Sequence, residues 1–356
     1  MEDRLVDDDH LSAEQRSLLP KAGFFVPDSV RREERRREYE DRVSDRDVVA
    51  LVDGDADGLG AAVLLRHAHD DVGYVGTSPN RLEDSLALVE EHLEDGADVY
   101  VVDLCPDDVD DLAALDGIAE RAETVTWLDH HRWPEEVAEH VEAHGVELVV
   151  GESDEECSAD VTLRVLQERG YTFPPHLVEL VEVTRDHDLW IRDDPRSDDL
   201  ADLSVYLDAD DYVEAVSRGP EPTEEYREYL DERRREKRRM IDLAVERASR
   251  TEVGGVDVAH TYGRCSQNEV AETLRGEGAD AVVVVKPEGG TSLRGSDGFE
   301  RCHEVARLLD GGGHPRAAGC KPPVFDTMLD YAEHWTTEGR RARDAVLEAF
   351  ADVVDG

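Results

Sequence analysis

The sequence is poor in lysine and in aromatic residues. Only four of its 40 basic residues are lysines, and aromatic residues make up 6% of the 356 residues. Asp and Glu together number 87, so the formal net charge is −47. This balance excludes a polybasic nucleic-acid binder and a protein that basic charge holds to a membrane surface. Nucleic acid stays open as a substrate, because a few placed arginines can hold one phosphate at a time.

Long apolar segments and closely spaced cysteines are also missing. The acidic N-terminus carries no apolar core of a signal peptide, and no run approaches about 18 apolar residues. The five cysteines show no CxxC spacing, so neither a disulfide framework nor a zinc ribbon is indicated. The sequence therefore predicts a cytoplasmic protein that does not engage a membrane.

The apolar residues that are present decide between disorder and a folded acidic protein. High net charge with few apolar residues is typical of disordered chains. Here the 39% hydrophobic content is concentrated in short runs, such as VVALV at 48–52 and AVVVV at 281–285. This concentration favours a folded protein whose surface is saturated with carboxylates. Together with the scarcity of lysine, it fits a halophilic archaeal source.

Short apolar runs alternate with helical stretches over the first half of the chain. The runs occupy 48–53, 72–77, 99–104, 124–129 and 147–152. Such alternation predicts a five-stranded parallel sheet with flanking helices, and continuous apolar strands indicate burial on both faces.

The remaining segments suggest five regions along the chain. We predict a polar helical N-terminal arm at 1–45, with a helix over 28–41, and a charged helical connector at 206–250. A second, smaller α/β domain follows at 251–335, in which 311–319 (GGGHPRAAG) is expected to form a loop. The first α/β domain spans 46–205, and a C-terminal helix covers 336–356.

Carboxylates and imidazoles follow several of the predicted strands. Asp53, Asp55 and Asp57 end the first strand, Asp103 ends the third, and Asp129-His130-His131 ends the fourth; Asp186-His187-Asp188 lies in a later helical segment. The carboxyl ends of parallel strands meet at one edge of the sheet, where ligands bind. Oxygen ligands with some imidazole suit Mn²⁺ or Mg²⁺, and two such ions can serve an in-line phosphoryl displacement.

Acidic triplets also arise by chance in so acidic a chain. Residues 7–9 and 208–211 are examples that we interpret as solvated surface. The strand-end placement separates the other carboxylates from these, because it is the structural context that a metal site requires.

The motifs DGDADGLGAA (53–62), VVDLCPDD (101–108), WLDHHRW (127–133) and TRDHDLW (184–190) resemble those of the DHH phosphoesterase family. Downstream, SLRGS (292–296) and GGGHPRAAG resemble a C-terminal DHHA1 domain. The resemblance covers residues 46–325 in the family's order and spacing. It implies a metal-dependent phosphoesterase, with the α/β architecture described above.

The resemblance implies a role for each matched residue. Asp53, Asp55, Asp57, Asp103, His130 and Asp186 match the ligands of two Mn²⁺ ions, for which Mg²⁺ is an alternative. Asp103 matches the carboxylate that bridges the ions, and Asp188 stays open as the alternative to Asp186. His131 matches the histidine that contacts the substrate phosphate, and Asp129 would orient the histidine pair.

In the second domain, the family's substrate clamp matches Arg294, Gly311, Gly312, Gly313 and His314. A glycine run exposes backbone N–H groups to a phosphate, and the arginine and histidine add positive charge.

The first motif places the chain nearer to one branch of the family. Members that act on small substrates usually begin this motif with HxxPDxD, whereas this chain has Leu51 and Gly54 at the histidine and proline positions. The DxDxDG form resembles the RecJ-like branch. The chain is shorter than bacterial RecJ, which argues against a long binding groove for single-stranded nucleic acid.

The function implied is an exonuclease or phosphodiesterase that hydrolyses single-stranded nucleic acid or short oligonucleotides by two-metal hydroxide attack. One alternative is hydrolysis of a small nucleotide, such as cyclic di-AMP or a nucleotide bisphosphate. Another is a non-catalytic subunit of a replication or repair complex, although every ligand position holds a competent ligand. The sequence does not distinguish a DNA substrate from an RNA substrate. It also leaves open the polarity of cleavage, the oligomeric state and the role of residues 1–45.

Three tryptophans lie beside the motifs. Trp127 and Trp133 flank the histidine pair, and we expect Trp127 to pack in the core. Trp190 follows the fourth motif, beside which we expect it to pack.

Overall fold

The computed structural model describes residues 28–324 and 327–355, and these residues form two units. One unit spans residues 34–231, and residues from 232 onward belong to the second. The division lies inside the helix Glu224–Glu246, within the segment predicted as a connector. Most of the predicted arm, residues 1–27, lies outside the described residues.

The first unit is an alternation of strands and helices, as the apolar runs predict. Its elements are α1 Asp28–Val43, β1 Val48–Asp53, α2 Ala56–Ala68, β2 Val72–Thr77, α3 Leu82–His92, β3 Asp98–Val102, α4 Leu115–Arg121, β4 Thr124–Asp129, α5 Glu135–Ala143, β5 Glu147–Val150, α6 Ser158–Glu168, α7 Pro175–Asp188, α8 Pro195–Tyr206 and α9 Ala209–Val216.

The five strands form one parallel sheet in the order β2-β1-β3-β4-β5. Successive residues of β1 face opposite sides, as the two-residue period of a strand requires. Ala50 and Val52 therefore pack in one apolar core, and Val49 and Leu51 pack in the other. Helices cover both faces, which confirms the predicted fold class.

Helix α1 is the helix expected over 28–41, and it is not wholly solvated. Most of its described side chains are exposed or partly exposed, but Tyr39 and Val43 are buried in the core on one face of the sheet. These two residues, four apart, lie on the same side of the helix and attach it to the sheet.

Helix α9 packs with the first unit, although it lies inside the predicted connector. Tyr212, Val213 and Val216 are buried in the core that also contains α2 and α7 side chains. The long charged helix α10, Glu224–Glu246, follows. Among the described residues, no helix is long and apolar enough to cross a membrane.

The second unit is built on a six-stranded mixed sheet. Its remaining elements are β6 Ser249–Val253, β7 Val256–Tyr262, α11 Gln267–Gly276, β8 Ala281–Val285, β9 Thr291–Gly295, α12 Cys302–Arg307, β10 Gly312–His314, β11 Ala317–Cys320, α13 Met328–Thr336 and α14 Arg340–Asp355. The strand order is β10-β11-β9-β8-β7-β6, and only β7 and β8 pair in parallel.

The segment GGGHPRAAG is a strand pair and not the loop that its glycines suggest. Its residues form β10 and β11, which pair antiparallel, and β11 also pairs with β9. Pairing to an existing strand gives the backbone hydrogen-bond partners that the segment's composition alone would not predict. The expectation of a loop at 311–319 is therefore wrong.

Candidate metal centre

Three neighbouring strands bring carboxylates to one edge of the first unit's sheet. Asp53 is the last residue of β1, Asp103 directly follows β3, and Asp129 is the last residue of β4. The strands β1, β3 and β4 are adjacent and parallel, so their carboxyl ends lie side by side. This is the edge at which ligands bind in open α/β sheets.

Six of the predicted residues and Asp188 form three overlapping groups of possible ligands. The groups are Asp53 with Asp55 and Asp103; Asp103 with His130 and His131; and Asp57 with His130 and Asp188. Within each group the ligand atoms lie within 4.8 Å of one another. Asp103 and His130 each belong to two groups, so one cluster of side chains offers adjacent positions for more than one ion.

The loop after β1 is fixed by contacts of its own backbone. Asp55 caps α2, since its carboxylate accepts hydrogen bonds from the N–H groups of Asp57 and Gly58 at 2.9 and 3.2 Å. A Cβ atom on Gly58 would lie 2.4 Å from the carbonyl oxygen of Asp53. Glycine at 58 is therefore needed to bring the start of α2 this close to the end of β1.

Asp57 is buried and bonded to the start of α6. Its two carboxylate oxygens accept from the N–H groups of Ser158 and Ala159 at 2.7 and 2.8 Å. Carboxylates are favourable at a helix N-terminus, where the free N–H groups carry partial positive charge. These bonds orient the Asp57 side chain toward His130 and Asp188.

Asp103 occupies a strained backbone conformation. Its φ is +63°, in the left-handed region that residues other than glycine seldom adopt. The carboxylate is buried, and Oδ1 accepts a hydrogen bond from the Ser158 hydroxyl at 2.9 Å. The same oxygen lies 3.8 Å from Nε2 of His130 and from Nδ1 of His131. Strain of this kind clusters at functional sites.

Asp129 has no exposed surface and accepts hydrogen bonds from the residues that follow it. Oδ1 accepts from the N–H groups of His130 and His131 at 2.7 and 3.2 Å, and Oδ2 accepts from the Trp133 indole at 2.8 Å. Burial opposes ionisation of this carboxyl, but the bonds from His131 and Trp133 outweigh it and lower the pKa of Asp129.

The ring of His131 is oriented by Asp129. Nδ1 lies 2.8 Å from Oδ1 of Asp129, and this bond raises the pKa of His131 against the effect of burial. With Nδ1 so engaged, Nε2 is the nitrogen that remains for a ligand, and the side chain is half exposed. His130 differs, because it is buried and its Nε2 lies 3.4 Å from Oδ2 of Asp188.

The structure distinguishes Asp186 from Asp188. The carboxylate of Asp186 accepts from the N–H groups of Asp193 and Asp194 at 3.0 and 3.1 Å, so it closes the turn that follows α7. It is in none of the three ligand groups, whereas Asp188 is in one of them. The resemblance favoured Asp186, and the geometry favours the alternative.

The charges of the cluster fit a cation. Burial, followed by neighbouring carboxylates, raises the pKa values of Asp57 and Asp103 well above the usual range. Burial, and to a lesser extent the negative charge of Asp55, raises the pKa of Asp53 to about 6. Within the described residues, no lysine or arginine forms an ion pair with these carboxylates. Oδ2 of Asp188 is also buried without a hydrogen-bond partner. Hard oxygen donors in need of positive charge suit a divalent metal ion.

The tryptophans beside the motifs occupy different environments. Trp127 is buried, as expected, and donates to the carbonyl of Leu104 at 2.8 Å. Trp133 contacts it edge to face and donates to Asp129. Trp190 is 76% exposed, so the expectation that it packs beside the fourth motif is wrong.

In the second unit, Arg294 and His314 flank Ala317 in one row across three strands. Arg294 of β9 pairs with Ala317 of β11, which pairs with His314 of β10. Directly opposed residues of antiparallel strands point to the same face. Nε of Arg294 donates to the side-chain oxygen of Asn268 at 2.9 Å, and Nη1 donates to the hydroxyl of Ser292 at 2.8 Å.

The three glycines of this hairpin are not equivalent. A Cβ atom on Gly311 would lie 2.3 Å from the carbonyl oxygen of Gly319, and Gly313 has a φ of +133°. A Cβ atom on Gly312 would meet nothing within 4 Å. Gly311 and Gly313 are thus required by the hairpin itself, and Gly312 borders open space.

Sequence reasoning missed Ser158. Its hydroxyl bonds to Asp103 and its N–H bonds to Asp57, so it joins two of the predicted ligands. A signal was present, because Ser158 starts the helix after β5 and thus follows the carboxyl end of a fifth strand. Its role depends on where α6 packs, which no local pattern specifies.

Comparison with known proteins adds information about the fold. No family model matches the sequence, and no curated protein matches it. The structure is similar to RecJ in complex with Mn²⁺ from Thermus thermophilus, with a TM-score of 0.50 and 16% identity. The matched region covers 96% of this chain and 56% of that RecJ chain.

Two further solved structures have lower TM-scores. The pGpG-specific phosphodiesterase PggH from Vibrio cholerae has a TM-score of 0.46 and 13% identity, over 84% of this chain and 99% of PggH. An exopolyphosphatase-related protein from Bacteroides fragilis has a TM-score of 0.43 and 13% identity, over 91% of this chain and 97% of its own. The chain thus shares the fold of RecJ, and the likeness confirms the α/β architecture that its resemblance to DHH proteins implies.

Proposed function

We propose that the protein is a DHH-type phosphoesterase that hydrolyses phosphodiester bonds in single-stranded nucleic acid or short oligonucleotides. The observation that carries the proposal is the cluster of overlapping ligand groups in which Asp103 and His130 are shared. A cluster with shared members fits a pair of neighbouring ions, and pairs of ions are typical of enzymes that cleave phosphate esters.

Each ligand position follows from these groups. Asp53, Asp55 and Asp103 would hold one ion, and Asp57, His130 and Asp188 would contribute to the other. Two divalent ions would supply Lewis acidity and a nucleophile available at neutral pH. Mn²⁺ is the ion we favour, because imidazole joins the carboxylates; Mg²⁺ is the alternative.

The chain's own residues supply orientation and charge. Asp129 fixes the ring of His131 so that Nε2 can contact a phosphate oxygen. A donor fixed in advance toward developing charge lowers the barrier without reorganisation. Ser158 and the N-terminus of α6 keep Asp103 and Asp57 in place.

Arg294 and His314 are the residues we propose for a substrate phosphate in the second unit. They lie on the same face of one sheet, with the small side chain of Ala317 between them. A guanidinium and an imidazole at this spacing, next to the open space at Gly312, fit a phosphate better than an apolar ligand.

The proposal is tested with purified full-length chain, Mn²⁺ and concentrated KCl, because a charge of −47 repels itself at low salt. The substrates are single-stranded DNA and RNA labelled at either end, and cyclic di-AMP. Asp103→Ala is the inactive control, and Asp110→Ala, at an exposed carboxylate in the helical turn that follows the same strand, is the matched control. We expect stepwise release of mononucleotides from one end, lost only in Asp103→Ala.

Other outcomes of this assay separate the alternatives. Cleavage of cyclic di-AMP alone, or of only the shortest oligomers, assigns the protein to small-nucleotide turnover with the same metal centre. If no substrate is cleaved and no Mn²⁺ binds, the proposed activity is wrong and a non-catalytic subunit is supported.

A further inference from the structure

Trp190 is a large aromatic side chain that the fold leaves in solvent. It is 76% exposed, and the neighbouring Ile191 is 50% exposed. Aromatic residues make up only 6% of this chain, and the other motif tryptophans, Trp127 and Trp133, pack against each other. Packing therefore does not account for a tryptophan at position 190.

The turn that carries Trp190 is strained and closely specified. Trp190 has a φ of +58° and Arg192 a φ of +59°, and the left-handed region is especially unfavourable for a bulky residue. The carbonyl of Asp186 accepts from the N–H groups of Ile191 and Arg192 at 3.0 and 3.1 Å. Asp186 thus fixes this turn through its backbone as well as through its carboxylate.

Two neighbouring side chains contact the indole, and one of them is His187, whose ring stacks with it at a centroid distance of 6.3 Å. The guanidinium carbon of Arg192 lies 4.5 Å from the centre of the Trp190 ring, which is a cation–π distance. Arg192 and His187 both bond to Asp198, at 2.5 and 3.1 Å, so they are fixed in turn. With both contacts in place the side chain is still 76% exposed, so most of its surface is open to a ligand.

The position of this ring relates it to the proposed metal centre. Trp190 is two residues after Asp188, so their Cα atoms are at most about 7 Å apart. That reach is close to the spacing of neighbouring nucleotides in an extended strand. An aromatic side chain this close along the chain to a proposed ligand fits a contact with the base next to the phosphate under attack.

We propose that Trp190 is a stacking subsite for a nucleobase of the substrate. The proposal rests on the proposed function, because it names the class of substrate that the centre takes: one with a base beside the phosphate. Stacking suits this chain for an electrostatic reason. A net charge of −47 repels phosphates and salt screens the few cationic contacts, whereas stacking on an aromatic ring needs no charge.

The test compares a normal oligonucleotide with an abasic oligomer of the same length, using the full chain with Mn²⁺. For Trp190→Ala we expect a rise in KM of about 5- to 150-fold on the normal oligonucleotide, the range for loss of one stacked base. Trp190→Phe should restore most of the affinity. On the abasic oligomer, the wild type and Trp190→Ala should have the same KM, because there is no base to stack.

The matched control is Val205→Ala, which removes another apolar side chain that is 75% exposed, on α8. It should change KM on neither substrate. An equal loss for Trp190→Ala on both substrates would indicate a structural role and overturn the inference. So would an unchanged KM, or a change in sedimentation coefficient showing that Trp190 lies in a contact between copies of the chain.

A second readout separates this inference from the proposed function. Tryptophan emission is titrated with an oligodeoxythymidylate in EDTA, where no turnover occurs. We expect quenching in the wild type and its loss in Trp190→Phe. Quenching at Trp190 without any hydrolysis in Mn²⁺ would contradict the proposed function alone. Hydrolysis without quenching, and without the base-dependent KM, would contradict the stacking subsite alone.

Discussion

Nδ1 of His131 lies 2.8 Å from Oδ1 of Asp129, and this contact leaves Nε2 as the ring nitrogen that is available to a ligand. The two residues are close in sequence, and the same carboxylate also accepts hydrogen bonds from the backbone N–H groups of His130 and His131. A buried carboxylate that engages one ring nitrogen fixes the tautomer and the orientation of the imidazole.

The first prediction concerns this pair. Asp129→Asn keeps the shape of the side chain but removes its charge, so His131 loses its charged partner. We expect turnover to fall about 10- to 100-fold with the fold retained, as for other residues that orient a ligand. Steady-state kinetics and circular dichroism measure the two effects. Trp133→Phe, which removes one other donor to Asp129, should cost less, and a greater cost there would contradict this assignment.

The second prediction is that Asp103→Asn improves the stability of the metal-free protein while it abolishes activity. The substitution removes a buried negative charge from among like charges, and asparagine tolerates the left-handed backbone at this position. Thermal unfolding in EDTA should show a higher Tm for the variant. Mn²⁺ should raise the Tm of the wild type more than that of the variant. A lower Tm in EDTA would show that the carboxylate stabilises the fold without metal.

The third prediction separates Asp186 from Asp188. Asp188→Asn should weaken Mn²⁺ binding and remove turnover with little change in unfolding, because its Oδ2 makes no hydrogen bond. Asp186→Asn should lower the free energy of unfolding by about 1–3 kcal/mol, because an amide donor would then face a backbone N–H group. Calorimetric Mn²⁺ titration and urea unfolding of both variants test the assignment. If Asp186→Asn weakens Mn²⁺ binding and Asp188→Asn lowers the free energy of unfolding, Asp186 is the metal ligand.

The fourth prediction concerns the pH dependence of the metal-free protein. Burial raises the pKa of Asp53 from 3.8 to about 6, so the folded state binds this proton more tightly than the unfolded state. The stabilisation is complete below about pH 4 and is lost as the pH rises through about 6. In EDTA at constant KCl, the free energy of unfolding should therefore fall between about pH 4 and 6. Asp53→Asn should flatten the decline, and a rise over this interval in the wild type would contradict the account.

Much of the fold could be predicted because local runs of apolar residues specify its strands. The runs at 48–53, 72–77 and 124–129 coincide with β1, β2 and β4. Since parallel strands carry their carboxyl ends to one edge, the meeting of Asp53, Asp103 and Asp129 followed from strand assignment alone. The fold class and the neighbourhood of the centre were therefore accessible from the sequence.

The remaining features depend on contacts between distant segments. Asp186 and Asp188 are two residues apart at the end of α7, where a helix turns by about 200°, so they face different sides. The packing of α7 decides which of them reaches His130, and that packing is not local. The exposure of Trp190 and the pairing of 311–319 into a hairpin depend on tertiary structure in the same way.

The central claim is that this sheet edge binds two divalent ions with Asp103 shared between them. The most direct test is the stoichiometry of Mn²⁺ binding to the full-length chain in concentrated KCl, measured by electron paramagnetic resonance of the free ion. The account predicts two ions per chain, with a spin-coupled signal at saturation that Asp103→Asn abolishes. One ion or none, or two ions that Asp103→Asn leaves unaffected, would contradict it.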